Sequence, residues 1–338
     1  MRMLKQYLFP LALQVLIFQT ANAETDWMSV TFDNDIFVGN DSGYTNGMFV
    51  SWYDVGITTS EDKKDRFTKP GFLVRPLLWT LPAADDRERA MVNAYTIGQV
   101  MVTPQDISIQ NPALDELPYS GLLFFNDTYL VVNEKYADSI STTLGVVGPL
   151  SGAESTQKWV HELLGADDPQ GWNSQLDNEL VFRFSRGRIW RSWISKGDHF
   201  DILLESEAGL GTISSYVLGG VIFRFGNDLT TSAYATQLFS TTKTSNPASI
   251  DGGWYTYAGI TYSYLFNQIF TDGNTFKESR SIDYSHDRIG LAAGLAYSWT
   301  NVSLTIAIND YSAYEDKVEK DQLGELTRYG TLTVAWRY

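Results

Sequence analysis

Cysteine is absent from all 338 residues. A disulfide scaffold and thiolate catalysis are therefore excluded, and stability has to come from packing and backbone pairing. Beyond the N-terminus no run of 18 or more apolar residues occurs, and the mean hydropathy is only −0.18, which excludes a bundle of membrane-spanning helices. Basic residues are scarce, with 25 Lys and Arg against 40 Asp and Glu. A surface this acidic repels phosphate backbones, so nucleic acid is not an expected partner. Apolar residues are plentiful: the chain is 43% hydrophobic and 14% aromatic, too rich to stay disordered.

Residues 1–23 carry Arg2 and Lys5, an apolar stretch from Tyr7 to Phe18, and then Ala21-Asn22-Ala23. This order of charge, short apolar core and small residues is that of a secretory signal, and the stretch is too short to span a bilayer. Loss of Arg2 and Lys5 leaves 23 basic against 40 acidic residues, a net charge of −17. The mature domain is expected over residues 24–338.

That domain reads as segments of about ten residues with alternating polarity, separated by Gly, Asn, Asp and Ser clusters. Val302, Leu304, Ile306 and Ile308 fall on one face of a segment and Ser303, Thr305 and Ala307 on the other. Leu332, Val334, Trp336 and Tyr338 alternate likewise with Thr331, Thr333, Ala335 and Arg337, and the chain ends on an aromatic residue. A strand between lipid and a polar lumen requires this period of two. Strands are predicted at 27–33, 45–55, 91–102, 121–133, 139–147, 177–187, 199–210, 216–226, 253–266, 287–299, 301–310 and 328–338. Twelve is an even number, so an antiparallel sheet can close with both ends of the chain on one side and every backbone group paired. A secreted β-sandwich alternates similarly, but 10 Trp and 19 Tyr favour the membrane. The expected fold is a 12-stranded antiparallel transmembrane β-barrel.

One helix is signalled on the extracellular side. Ser151 and Glu154 form a capping box, Glu154 and Lys158 lie four apart, Trp159/Leu163 and Val160/Leu164 share faces, and Gly165 can end the helix. Two stretches do not fit a minimal barrel: 57–90, which could hold a short amphipathic helix, and 227–252, a polar loop or irregular strand pair.

With both termini periplasmic, the connections after strands one, three and five are extracellular, and the densest polar clusters fall there. The first holds Asp33-Asn34-Asp35 and Tyr44-Thr45-Asn46-Gly47. The second runs from Thr103-Pro104 to Pro118-Tyr119-Ser120-Gly121, and the third is the Gly148-Pro149 helix with His161. Taken singly, Asn-Asp and Tyr-Thr-Asn-Gly are ordinary hairpin residues, and a lone helical histidine is usually structural.

Taken together, their order and spacing resemble the outer-membrane lipid A 3'-O-deacylase family. The resemblance also includes Gly98-Gln99 and Gln157 to His161 followed by Gly171-Trp172, and it spans most of the mature chain. It implies a Ca²⁺-dependent ester hydrolase that removes the 3'-acyloxyacyl group of lipid A in the outer leaflet. Lipid A, or lipopolysaccharide, and outer-membrane lipids would be its partners. Asn34, Asp35, Thr45 and His161 match family site positions. A family lysine in the second extracellular segment has no counterpart, since Gln110 and Asn111 stand there.

The residues themselves suit that chemistry. Ester hydrolysis needs a base to activate water, and an imidazole such as His161 can accept a proton near neutral pH. Asp35 with the Asn34 amide or backbone carbonyl offers hard oxygen ligands to Ca²⁺, and Thr45 could position water or the tetrahedral oxygen. On strand one Ser29, Thr31, Asp33 and Asp35 share the less apolar face while Asn34 has the opposite parity; either the strand ends before Asn34 or a bulge re-aims it. Rival schemes lack support. No Gly-x-Ser-x-Gly elbow is present, Ser155 to Lys158 has none of the companions of a Ser-x-x-Lys site, and Gly165 stands where a zincin's second His would be. Two other readings stay open: another outer-membrane esterase such as a phospholipase, and a non-catalytic pore or scaffold barrel.

Overall fold

The computed structural model describes residues 27–34, 43–57, 68–82, 90–133, 135–165, 167–227, 229, 253–299, 301–310 and 328–337; of Tyr44 and Thr45 only the backbone is described. The signal segment, Asp35 and nearly all of 227–252 lie outside these residues. The strands are β1 (Trp27–Asn34), β2 (Gly43–Ile57), β3 (Ala90–Thr103), β4 (Ser120–Val132), β5 (Tyr136–Val147), β6 (Glu179–Ile194), β7 (Phe200–Gly211), β8 (Ser214–Gly226), β9 (Gly253–Gln268), β10 (Asp287–Ser298), β11 (Val302–Asp310) and β12 (Arg328–Arg337). Each pairs antiparallel with its neighbour and β12 returns to β1, closing the barrel. Helix α1 spans Ala153–Leu164 and a single turn, α2, spans Ile269–Asp272.

Closure leaves no sheet edge, so the ladder satisfies the backbone in lipid. The register fixes which residues face inward. Trp27 pairs with Tyr53, Ser29 with Ser51 and Thr31 with Phe49, all of them buried. The intervening Val30, Met48 and Val50 are exposed, as are Ile97, Leu123 and Leu144 on β3, β4 and β5. The outer wall is therefore apolar. The lumen is filled by polar networks, including Thr31 with Thr333 at 2.9 Å, Ser51 with Thr96 at 2.8 Å, and Asn126 with Ser141 and Thr143 at 2.7 and 2.9 Å. Trp27, Tyr53, Tyr255 and Tyr257 close it at the end that carries the start of β1.

Three expectations need correction. Strand β6 runs on past Gly187 to Ile194. Gly187 lies inside the strand, where a Cβ would crowd the Ser139 hydroxyl across the ladder. The capping box does not form: α1 starts at Ala153 with Gly152 (φ 72°) as its N-cap, and Ser151 belongs to a preceding 3-10 turn. Glu154 does pair with Lys158 at 2.7 Å, and Gly165 (φ 70°) does end the helix. Trp159 is 57% exposed, whereas Ala153 and Gln157 are buried, because the helix leans on the barrel through its N-terminal turns. Within 57–90, residues Arg75–Thr80 form a 3-10 turn, shorter than the amphipathic helix expected there.

Candidate active site

Strand β1 continues in register through Asn34, which stands opposite Asn46 on β2 and Gly330 on β12. Neither sequence option for Asn34 applies. The irregularity lies instead in β2, where the pairing with β3 shifts between Gly43 and Asn46, around Thr45. Asn34 thus keeps the parity of Val30 and Phe32 and belongs to the outer wall. Asp33 belongs to the lumen, where its Oδ1 accepts a 2.6 Å bond from Thr331.

The outer-wall row continues across the sheet from Asn34 to Asn46, Met101 and Gly121. On Gly121 stands the N-terminal end of α1. A Cβ there would overlap the Ser151 hydroxyl and Ala153, and Gln99 Nε2 donates to the Ser151 carbonyl at 2.7 Å. Met101, Tyr119, Ala153 and Trp172 form one buried cluster, with the Tyr119 and Trp172 rings 5.1 Å apart. The helix is therefore attached outside the barrel, on β3 and β4. Three strand spacings, roughly 15 Å, separate Gly121 from Asn34 on that wall.

Trp172 Nε1 donates to Gln157 Oε1 at 2.7 Å. An indole N–H can only donate, which fixes the orientation of the amide, and Gln157 Nε2 is left buried with no partner among the described residues. His161 follows one turn later on the same helix face. Its Nδ1 lies 2.5 Å from the Asp167 carbonyl oxygen. A carbonyl can only accept, so Nδ1 carries the hydrogen and Nε2 presents its lone pair. Gly165 makes this possible: its left-handed conformation turns the chain back while its N–H bonds the His161 carbonyl. His199 and His286 bond strand-end carbonyls of Gly226 and Leu265 and take no part.

Asn46 is buried, and its Oδ1 has no hydrogen-bond partner among the described residues. An orphaned amide oxygen beside Asn34 is suitable for a hard cation, which takes six to eight oxygen ligands when it is Ca²⁺. Among the described residues no cluster of three or more His, Cys, Asp or Glu is present, so a carboxylate for such an ion would have to come from Asp35. The second extracellular segment receives Arg280 from the β9–β10 connection, which donates to the carbonyls of Ala113 and Glu116.

Asn46 and Gln157 had no role assigned from sequence. The signal for Asn46 was present: Asn34, Asn46 and Gln99 interrupt the apolar outward files of β1, β2 and β3. Gln157 and Trp172 both fall in the motifs that carry the resemblance, but their hydrogen bond depends on the turn between them, which the pattern does not give.

A closed barrel with an apolar outer wall, a filled polar lumen and a polar site on the lipid side defines an integral outer-membrane protein. The chain belongs to the family described as outer membrane protein LpxR, whose model matches residues 8–338. LpxR from Salmonella typhimurium has the same fold, with a TM-score of 0.71 at 14% identity over 92% of this chain and 100% of that one. The β domain of the Bordetella autotransporter BrkA matches at a TM-score of 0.43 and 10% identity, over 94% of this chain and 99% of its own. Among curated protein sequences none matches.

Proposed function

We propose that this protein is a lipid A 3'-O-deacylase that hydrolyses the ester-linked 3'-acyloxyacyl group of lipid A in the outer leaflet. The observation that carries this reading is His161, its tautomer set by the Asp167 carbonyl, on a helix held against the lipid-facing wall. A substrate whose acyl chains stay in the membrane reaches that wall laterally, without passing through the lumen.

In the proposed reaction His161 Nε2 takes a proton from water as the water oxygen adds to the ester carbonyl carbon. The tetrahedral centre then collapses, the C–O bond to the sugar breaks, and His161 returns its proton to the departing alkoxide. Fatty acid and sugar hydroxyl are the products. Thr45 positions the water or the tetrahedral oxygen. Asn34 and Asp35 would hold Ca²⁺, which would supply positive charge at the carbonyl oxygen. Divalent ions around the lipid A phosphates offset the negative charge of the chain.

The filled lumen argues against a pore, since inward Ser29, Thr31, Asp33 and Ser51 are all at most 1% exposed. The test is mass spectrometry of a mixture of lipid A and phospholipid after incubation with the protein, with and without chelator. Metal-dependent loss of an acyloxyacyl mass from lipid A is expected, and His161→Ala should reduce it by roughly 10²- to 10⁴-fold. Unchanged lipid A processing by that variant rejects the assignment, and cleavage of phospholipid alone replaces it with a phospholipase.

A further inference from the structure

The β2–β3 connection carries a feature that the reaction does not use. The outward faces of β3 to β6 should be apolar at the depth of the inner leaflet, yet they hold Asn93, Asp127, Thr142 and Arg186. Each of these meets a backbone group of the segment 68–82. Asn93 Oδ1 accepts from Gly71 N at 3.1 Å and its Nδ2 donates to Lys69 O at 2.6 Å. Asp127 Oδ2 accepts from Leu73 N at 3.0 Å, and Thr142 Oγ1 donates to Leu73 O at 2.9 Å. Tyr129 Oη and Arg186 Nε reach Thr68 O and Thr80 O, each at 3.4 Å.

Beneath the segment, Val74 packs with Tyr129 and Ile140, and all three are buried. Gly71 is required by this fit, because a Cβ there would overlap the Asp127 carboxylate. On its other side the segment presents Phe72, 76% exposed, and Trp79, 83% exposed. The Arg75 guanidinium lies 5.8 Å from the Phe72 ring centroid.

Irregular backbone is tolerated beside lipid only when its polar groups are satisfied by protein, and here strand side chains satisfy them. Barrels carry aromatic girdles at both interfaces. On β2 to β4 the wall supplies its own, with the Trp52, Tyr95 and Phe125 ring centroids 5.9 to 6.3 Å apart. Along the row of Trp52 and Tyr95 the next outward positions are Asp127 on β4 and Thr142 on β5, before an aromatic residue returns at Phe184 on β6; Phe72 and Trp79 belong to the segment docked on Asp127 and Thr142.

We propose that the segment 71–81 is a membrane-seated strap. It docks on the lipid-facing wall of β3 to β6 and places Phe72 and Trp79 among the phospholipids of the inner leaflet, with Arg75 at the level of their phosphates. The strap completes the aromatic girdle where the wall lacks one.

The absence of cysteine permits a direct test. Spin labels at Phe72→Cys and Trp79→Cys are compared with Leu144→Cys on the lipid-facing wall and Lys196→Cys in the β6–β7 turn. The full barrel is refolded in vesicles of phosphatidylethanolamine and phosphatidylglycerol. Collision rates with oxygen and with a water-soluble nickel chelate report depth. Labels at 72 and 79 are expected to favour oxygen as Leu144→Cys does. A label at either position that favours nickel as Lys196→Cys does overturns the proposal and leaves the two rings facing water or a periplasmic protein.

Discussion

Trp172 Nε1 and Gln157 Oε1, fifteen residues apart, are joined by a 2.7 Å hydrogen bond on the outside of a membrane barrel. The bond couples the strand-ward cluster of Met101, Tyr119 and Ala153 to the helix face that carries His161. It also fixes the direction of the Gln157 amide, whose nitrogen has no partner among the described residues. Replacing Trp172 with Phe keeps a ring in the cluster and removes only the donor. A buried acceptor left unmade costs about 1–3 kcal/mol, and here the cost falls on the position of α1, since the strand ladder is untouched. Deacylation should slow by roughly 5- to 150-fold with an unchanged barrel melting temperature. Equal activity of Trp172→Phe and wild type would show that Gln157 needs no fixing.

Gly121 allows α1 to approach the wall. Gly121→Val introduces a side chain into space filled by Ser151 and Ala153, and overpacking of this kind costs about 1–3 kcal/mol. The helix can lift away more easily than β4 can move, so activity should fall while the heat-resistant migration of the folded barrel persists. Gly219→Ala serves as a control, because its nearest neighbour beyond the adjoining residues is Glu205 O at 3.8 Å; it should leave both properties unchanged.

The barrel was legible in the sequence because a period of two, repeated along twelve segments, is imposed by lipid on one face and a polar interior on the other. Val302 to Ile308 and Leu332 to Trp336 show it without interruption. The helix was legible at its C-terminal end, where Gly165 needs a positive φ, and misread at its start, where Gly152 takes the cap that Ser151 resembled. Which face it buries had no apolar signal, because the helix is held to the barrel by small and polar groups, Ala153 and Gln157. For Asn34 the sequence left the direction open, since parity predicts a face only if register is known. The strap was illegible because the side chains that satisfy its backbone come from four strands.

Glu116 gives the second extracellular segment a pH dependence. Burial, together with the charge of Asp115, raises its carboxyl above the ordinary glutamate value of 4.5, so the folded segment holds the proton more tightly than the unfolded one. Docking stability from this group is present below the unfolded value and is lost as pH rises through the folded one. Exchange of the Ile109 amide, which bonds Asp106 O, should therefore accelerate relative to intrinsic rates as pH rises through that interval. Glu116→Gln should remove the dependence. A variant that keeps the wild-type profile assigns it to another group.

Asn46 distinguishes a ligand from a packing residue. Its Oδ1 is buried beside Asn34 without a partner among the described residues, and a buried acceptor without a donor destabilises by about 1–3 kcal/mol. If the amide only fills space, Asn46→Leu removes that penalty, and the barrel should melt at the same or a higher temperature with activity and metal response intact. If the oxygen helps to hold Ca²⁺, the same variant should still fold and melt normally but need more metal for half-maximal deacylation. Loss of one of six to eight oxygen ligands moves that midpoint without abolishing binding, so excess Ca²⁺ should restore most of the rate. A calcium titration of the two proteins separates the cases: coincident curves remove Asn46 from the site, whereas a displaced curve with a recovered plateau places its amide oxygen on the ion.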